Sequence, residues 1–162
     1  MPKPLSVKPH PYPRETLLSL VSRAAAMRGL STWEFTAELG LSQKRLIAVE
    51  QEMVKQIADL FDLTETQLEE ITSWSPQPLA GVRMRFRGED VVSRAVVNPT
   101  VRGCPACLRE DISNAQHSST DNMVMRGEWQ LRHVHICIKH QVKLVPLWTE
   151  THSGPRYDYA LN

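Results

Sequence analysis

What the sequence lacks narrows its function before any motif is read. No apolar run approaches the roughly 18 residues that cross a bilayer. The N-terminus, MPKPLSVKPHPYP, holds five prolines where a secretory signal would have an apolar core. The expectation is a cytoplasmic protein with no membrane partner. Glycines are scarce and scattered: Gly29, Gly40, Gly81, Gly88 and Gly103 read as punctuation, and none belongs to a loop that could cradle a nucleotide phosphate. There is no H-E-x-x-H. The deaminase pairing of H-x-E with P-C-x-x-C also fails, because Pro105 lies inside the cysteine pair and neither His133 nor His135 has the required glutamate. With only three cysteines, an odd number, a disulfide framework is not expected in a reducing compartment.

What is present is an ordinary soluble composition, 41% hydrophobic and 23% charged over 162 residues, enough for one domain or two small ones. Four regions and a tail emerge. Residues 1–13 form a proline-rich extended lead. Residues 14–75 carry helical periodicity: Glu15 to Arg28, stopped by Gly29, then a short helix capped by Ser31 with Glu34 and ended by Gly40, and a third run from Leu46 to Phe61. Thr64 and Gln67 repeat the capping-box spacing, so VKQIADLFDLTETQLEEIT reads as a helix-turn-helix-like unit. A linker is expected over 76–81, a metal-binding module with short strands over 82–150, and a tail over 151–162. The fold class is α+β.

Net charge is +1, yet its distribution is uneven. Residues 1–80 hold 8 Lys/Arg against 10 Asp/Glu, and residues 81–162 hold 11 against 8. The last helix of the first half presents Glu65, Glu69 and Glu70, carboxylates that phosphate repels, so it is expected to pack or to face a protein partner. In VRMRFRG the period changes to two, placing Arg83, Arg85 and Arg87 on one face of a strand. That face could follow a nucleic-acid backbone, since same-face residues recur every ~7 Å. A solvated face paired with local acids fits the pattern equally.

Every cysteine falls into a ligand pair. Cys104 and Cys107 have C-x-x-C spacing, Cys137 and His140 have C-x-x-H spacing, and 29 residues separate the pairs. Three thiolates and an imidazole fill a tetrahedron and leave no position for a catalytic water, so one structural Zn2+ per chain and no enzyme activity are expected. Closing the long loop between the pairs is offset by metal binding. The alternatives are a thiol redox pair at Cys104 and Cys107, or inert cysteines. His133 and His135 are rival ligands by type, but an extended segment does not bring them easily to the same ion.

The lead PHPYPRETLLSLVSRAA resembles the opening of TniQ-family proteins, with Pro11, Pro13, Glu15, Ser19 and Arg23 at matching positions. CPACLRED, then EWQL with Trp129, VHICIKH and VKLVPL, is similar to the zinc-binding part of that family. The second knuckle reads CIKHQ where the family usually has CPxHG. Members commonly run longer, so the resemblance implies a short or truncated member. It also implies a non-catalytic adaptor in DNA transposition, which links a DNA site or a guide-RNA complex to an AAA-type ATPase and the transposase, with homodimerisation left open. Two other functions stay open on the residues alone: a helix-turn-helix transcription regulator with a structural zinc, and a thiol enzyme.

Overall fold

A computed structural model describes residues 8–115, 119–160 and 162. Residues 1–7 of the expected lead lie outside the described residues. The first helix, α1 (Leu17–Ala26), is the hub of the molecule. The Thr16 side chain caps it by accepting from the Ser19 amide, and nine of its ten residues are buried. Its apolar side, Leu17, Leu20, Val21, Ala24 and Ala25, packs with Phe35, Leu46, Ile57, Phe61 and Ile71 in a helical core. Its polar side is buried as well, against the lead and the second half of the chain.

The helices around α1 follow their local signals. In α2 (Thr32–Glu38) both halves of the Ser31–Glu34 capping box are formed. Gly29 and Gly40 take positive φ (68° and 69°) where the chain reverses after α1 and α2. The run from Leu46 to Phe61 is not one helix. It is divided into α3 (Gln43–Ile47) and α4 (Gln51–Phe61), because Val49 adopts φ 54° and the amides of Val49 and Glu50 close onto Leu46 and Arg45. A β-branched residue rarely takes that conformation, so its sequence carried no stop signal. After α4, Asp62 in the left-handed region makes a tight turn, and Thr64 with Gln67 caps α5 (Glu65–Ser73). This is the expected helix, tight turn and helix.

Where a linker was expected, Gln77 and Pro78 form β1 and pair with β2 (Arg83–Phe86), which pairs in turn with β3 (Glu89–Val92). Arg87 and Gly88 join β2 to β3, both at positive φ (53° and 80°), as a two-residue hairpin turn requires. The hairpin is fixed to the end of α5: the Arg87 amide donates to the Ser73 carbonyl, and Trp74 packs edge-on to Phe86. A short helix, α6 (Ser93–Val96), then leads to β4 (Thr100–Gly103). Helix α7 (Pro105–Ser113) follows directly, and β4 pairs with the distant β5 (Val145–Thr149). A second core forms here from Leu108, Met125, Trp129 and Leu144 with the three cysteines.

The two cores are joined through α1. The Thr16 amide donates to the Met125 carbonyl, the Gly127 amide to the Arg14 carbonyl, and the Met125 amide to Ser19 Oγ. The last segment, with α8 (Ser153–Arg156), returns to the helices: Tyr157 enters the helical core, and Asp158 accepts from the backbone and hydroxyl of Thr32. Among the described residues no helix is long and apolar enough to cross a membrane.

Candidate metal centre

The β4–β5 pair brings the two cysteine-bearing turns together. Gly103, the last residue of β4, sits opposite Val145, the first of β5, and both turns hang from this end of the ladder. An added Cβ on Gly103 would lie 2.9 Å from Leu147 Cδ1 and 3.2 Å from the Trp129 ring, so the strand can approach Trp129 only because this residue is glycine. Cys104 is the N-cap of α7, Pro105 occupies its first turn, and Cys107 lies one turn in.

Cys137 and His140 lie on a tight turn closed by two backbone bonds: Gln141 N–H donates to the Cys137 carbonyl and Cys137 N–H to the Val142 carbonyl, each 2.8 Å. Gln141 takes φ 54°. The turn keeps this shape at the modest cost of a side chain in the left-handed region.

The four side chains converge. Their ligand atoms all lie within 4.8 Å of one another. His140 Nδ1 is 3.6 Å from Cys104 Sγ, 3.3 Å from Cys107 Sγ and 3.7 Å from Cys137 Sγ, and the Cys107 and Cys137 sulfurs are 3.6 Å apart. A tetrahedral ion with bonds of about 2.3 Å to sulfur and about 2.0 Å to nitrogen sets S···S near ~3.8 Å and S···N near ~3.5 Å. The site therefore fits one metal ion as it stands. None of the three cysteines is in a disulfide, and all are buried. The redox alternative needs an exposed thiol, which Cys104 (0% exposed) and Cys107 (1%) do not offer.

The electrostatics of the cluster suit a cation. Burial pushes the Cys107 thiol up to about 12, reinforced by the neighbouring Cys137 sulfur. At Cys137 burial acts in the same direction, but the His140 backbone and imidazole and the Lys139 backbone outweigh it and bring the thiol down to about 7. Three sulfurs this close cannot all ionise without a positive charge among them.

Behind the imidazole stands Glu110, a residue not anticipated from the sequence. It projects from α7 one turn after Cys107, and its Oε1 lies 2.8 Å from His140 Nε2 while Lys139 donates to Oε2. Hydrogen bonds from Lys139 and then His140 hold the Glu110 carboxyl down to about 2, and Glu110 in turn raises the His140 pKa. A carboxylate on Nε2 leaves Nδ1 as the nitrogen facing the sulfurs, the arrangement that orients a metal-bound histidine. Glu110→Gln is expected to lower metal affinity roughly 10- to 100-fold without abolishing binding. Competition with a chromogenic chelator would measure it, and unchanged affinity would remove Glu110 from the site.

The rival histidines stand apart. His135 Nδ1 meets the Arg102 guanidinium at 2.9 Å, and His133 is exposed. The arginine face is only partly as expected. Arg83 and Arg85 are exposed on β2, but Arg87 falls in the hairpin turn, its guanidinium 4.2 Å above the Trp74 ring and bonded to Ser73 and Glu70. Arg85 is paired with Asp90 across the hairpin at 2.9 Å. Glu65 and Glu69 are exposed on α5, whereas Glu70 accepts from Trp74 Nε1 at 2.7 Å as well as from Arg87.

A small α+β protein with a closed Cys3His centre is the class that fold and site define. The sequence model of the TniQ family matches residues 6–144, most of the chain, and the protein belongs to that family, whose members are non-catalytic and associated with transposition. No curated protein matches the chain.

Proposed function

We propose that this chain is a non-catalytic adaptor in DNA transposition, linking a DNA site or a guide-RNA complex to the transposon's AAA-type ATPase and transposase. The family match over residues 6–144 carries this reading. The proposed ion is Zn2+, one per chain and structural, because three thiolates and an imidazole close a tetrahedron and leave no site for substrate. In this reading the metal and the β4–β5 ladder hold the second half of the chain rigid against α1, so that surfaces on the two halves keep a fixed relation.

The protein-facing surface is assigned to Glu65 and Glu69 on α5, with Glu70 serving chiefly to hold Trp74 and Arg87. Glu65→Lys/Glu69→Lys is expected to weaken ATPase binding tenfold or more while leaving metal content unchanged. Stability should move by less than ~1 kcal/mol, because both are surface charges. A pull-down between purified proteins measures it. Normal ATPase binding with loss of target engagement would make α5 a nucleic-acid element instead.

The nucleic-acid contact is assigned to the β2–β3 hairpin. Arg83 is its freest cation, and Arg85 must exchange Asp90 for phosphate. Arg87 is the fixed member that anchors the hairpin to α5. Arg83→Gln/Arg85→Gln should reduce the slope of log affinity against log salt by about 1 to 2, since each phosphate contact contributes roughly 0.9. An unchanged slope returns the pair to a solvated face.

A further inference from the structure

Large hydrophobic side chains are exposed at six places among the described residues, and three of these fall within seven positions: Ile136 (57%), Ile138 (65%) and Val142 (42%). They surround the metal-bearing turn. Ile136 bridges to Lys143 across it, and Ile138 is at its tip beside Lys139. This is a stable protrusion rather than a frayed loop, because the backbone bonds from Cys137 and Gln141 close it and Leu144 N–H donates back to the His135 carbonyl. Nothing among the described residues covers these side chains. Clustered exposed aliphatics of this kind mark an interaction site.

The charge around the cluster says what kind of partner it suits. Residues 129–149 contain Arg132, Lys139 and Lys143 and not one aspartate or glutamate. Lys139 is taken by Glu110 from α7, but the side chains of Arg132, His133 and Lys143 have no hydrogen-bond or ion-pair partner among the described residues. The partner surface is therefore acidic at its rim. A protein suits the protrusion better than a single-stranded nucleic acid, because its exposed surface is led by three branched aliphatic side chains, which neither stack on bases nor pair with phosphate; Trp129 is buried, Trp148 is half-buried against Tyr159, and of the exposed imidazoles His135 is held by Arg102.

We propose that the tip of the second metal-binding turn is a protein-docking surface, which inserts Ile136 and Ile138 into an apolar groove rimmed by carboxylates on the transposon ATPase. This rests on the adaptor reading above and adds a contact distinct from α5. A metal ion held by Cys137 and His140 would fix the turn that carries the two exposed isoleucines, adding to the backbone bonds that already close it.

The test uses the full chain and the purified ATPase. Ile136→Ser/Ile138→Ser is expected to weaken binding at least tenfold with metal content and melting temperature unchanged, because both side chains are more than half exposed. Lys143→Glu, which leaves the apolar knobs in place, should weaken binding several-fold, with a loss that shrinks as salt is raised. Wild-type affinity in the isoleucine variant would overturn the docking surface and leave the adaptor reading intact. A variant that binds the ATPase normally but loses a target duplex or guide complex would also overturn it, and would make the tip a nucleic-acid surface. Failure of the wild-type chain to bind the ATPase would overturn the adaptor reading and this inference together.

Discussion

Cys107→Ser is expected to weaken zinc binding sharply and to loosen the second half of the chain. Structural zinc contributes about 10–16 kcal/mol of apparent binding free energy in small metal-dependent domains, so one of four ligands accounts for roughly 3 kcal/mol, or about a hundredfold in affinity. Cys107 Sγ lies 3.3 Å from His140 Nδ1 and 3.6 Å from Cys137 Sγ. Its loss leaves two buried sulfurs without their shared cation, in a core whose other members are Leu108, Met125, Trp129 and Leu144. Hydrogen exchange should show β4, α7 and β5 losing protection before α4 and α5. His135→Ala, which removes only the contact to Arg102, should cost less than ~1 kcal/mol. A Cys107→Ser protein with wild-type zinc affinity and melting temperature would show that the cluster is not a metal site.

The second large effect is expected at Arg23. Its guanidinium reaches both oxygens of Glu15, at 3.0 and 3.1 Å, and the two side chains are 6% and 0% exposed. Glu15 also accepts from Ser19 Oγ and the Tyr12 amide, and Arg23 donates to the His10 carbonyl and lies 4.9 Å over the Tyr12 ring. Ser19 then accepts from Met125. The signature residues of the lead and α1 are thus one buried network joining the lead, the helical core and the half that holds the Cys3His cluster. Arg23→Met would strand a buried carboxylate and cost about 3–5 kcal/mol, or roughly 6–20 °C in a chain of this length.

The pH dependence of that deficit has a definite sign. Burial, the largest influence, already raises the Glu15 pKa, and Arg23 opposes it. Without Arg23 the folded-state value rises further above the unfolded one. Stability in the variant is then fully present below the unfolded value of about 4.3 and is lost as pH climbs through the folded value. The variant should therefore approach wild type near pH 4 and fall furthest behind above pH 7. Glu15→Met/Arg23→Met should recover part of the loss, because an apolar pair leaves no unpaired charge. A single variant as stable as wild type at pH 8 would remove the network from the fold's supports.

How much of this was legible depended on whether the signal was local. The capping boxes at Ser31 and Thr64 and the alternation through Arg83, Met84, Arg85 and Phe86 concern neighbours in sequence, and the structure has them as read. The four ligands were readable because tight pairs advertise themselves by spacing, although the 29 residues between the pairs gave no hint that β4 and β5 would register them. Three features were hidden for physical reasons. Val49 breaks a helix from a conformation its residue type rarely takes, so no glycine or proline announced it. Arg87 has the right parity for the strand face but lies in the turn, where Trp74 captures it. Glu110 was one of two acids in CLRED until α7 placed it one turn beyond Cys107, against an imidazole 30 residues away in sequence. Glu15 and Arg23 were legible as a pattern, but burial of both could be known only once the Met125–Gly127 segment was seen to cover them.

The adaptor reading is tested most directly by mapping insertions in a purified reaction. Transposase, ATPase, donor DNA and target DNA, with any guide complex, are combined with and without this chain, and insertion positions are sequenced. Insertions are expected to concentrate at the target site only when the zinc-loaded chain is present, and to scatter or fall away when it is omitted or replaced by Cys107→Ser. The same distribution of insertions with and without the chain would contradict the account.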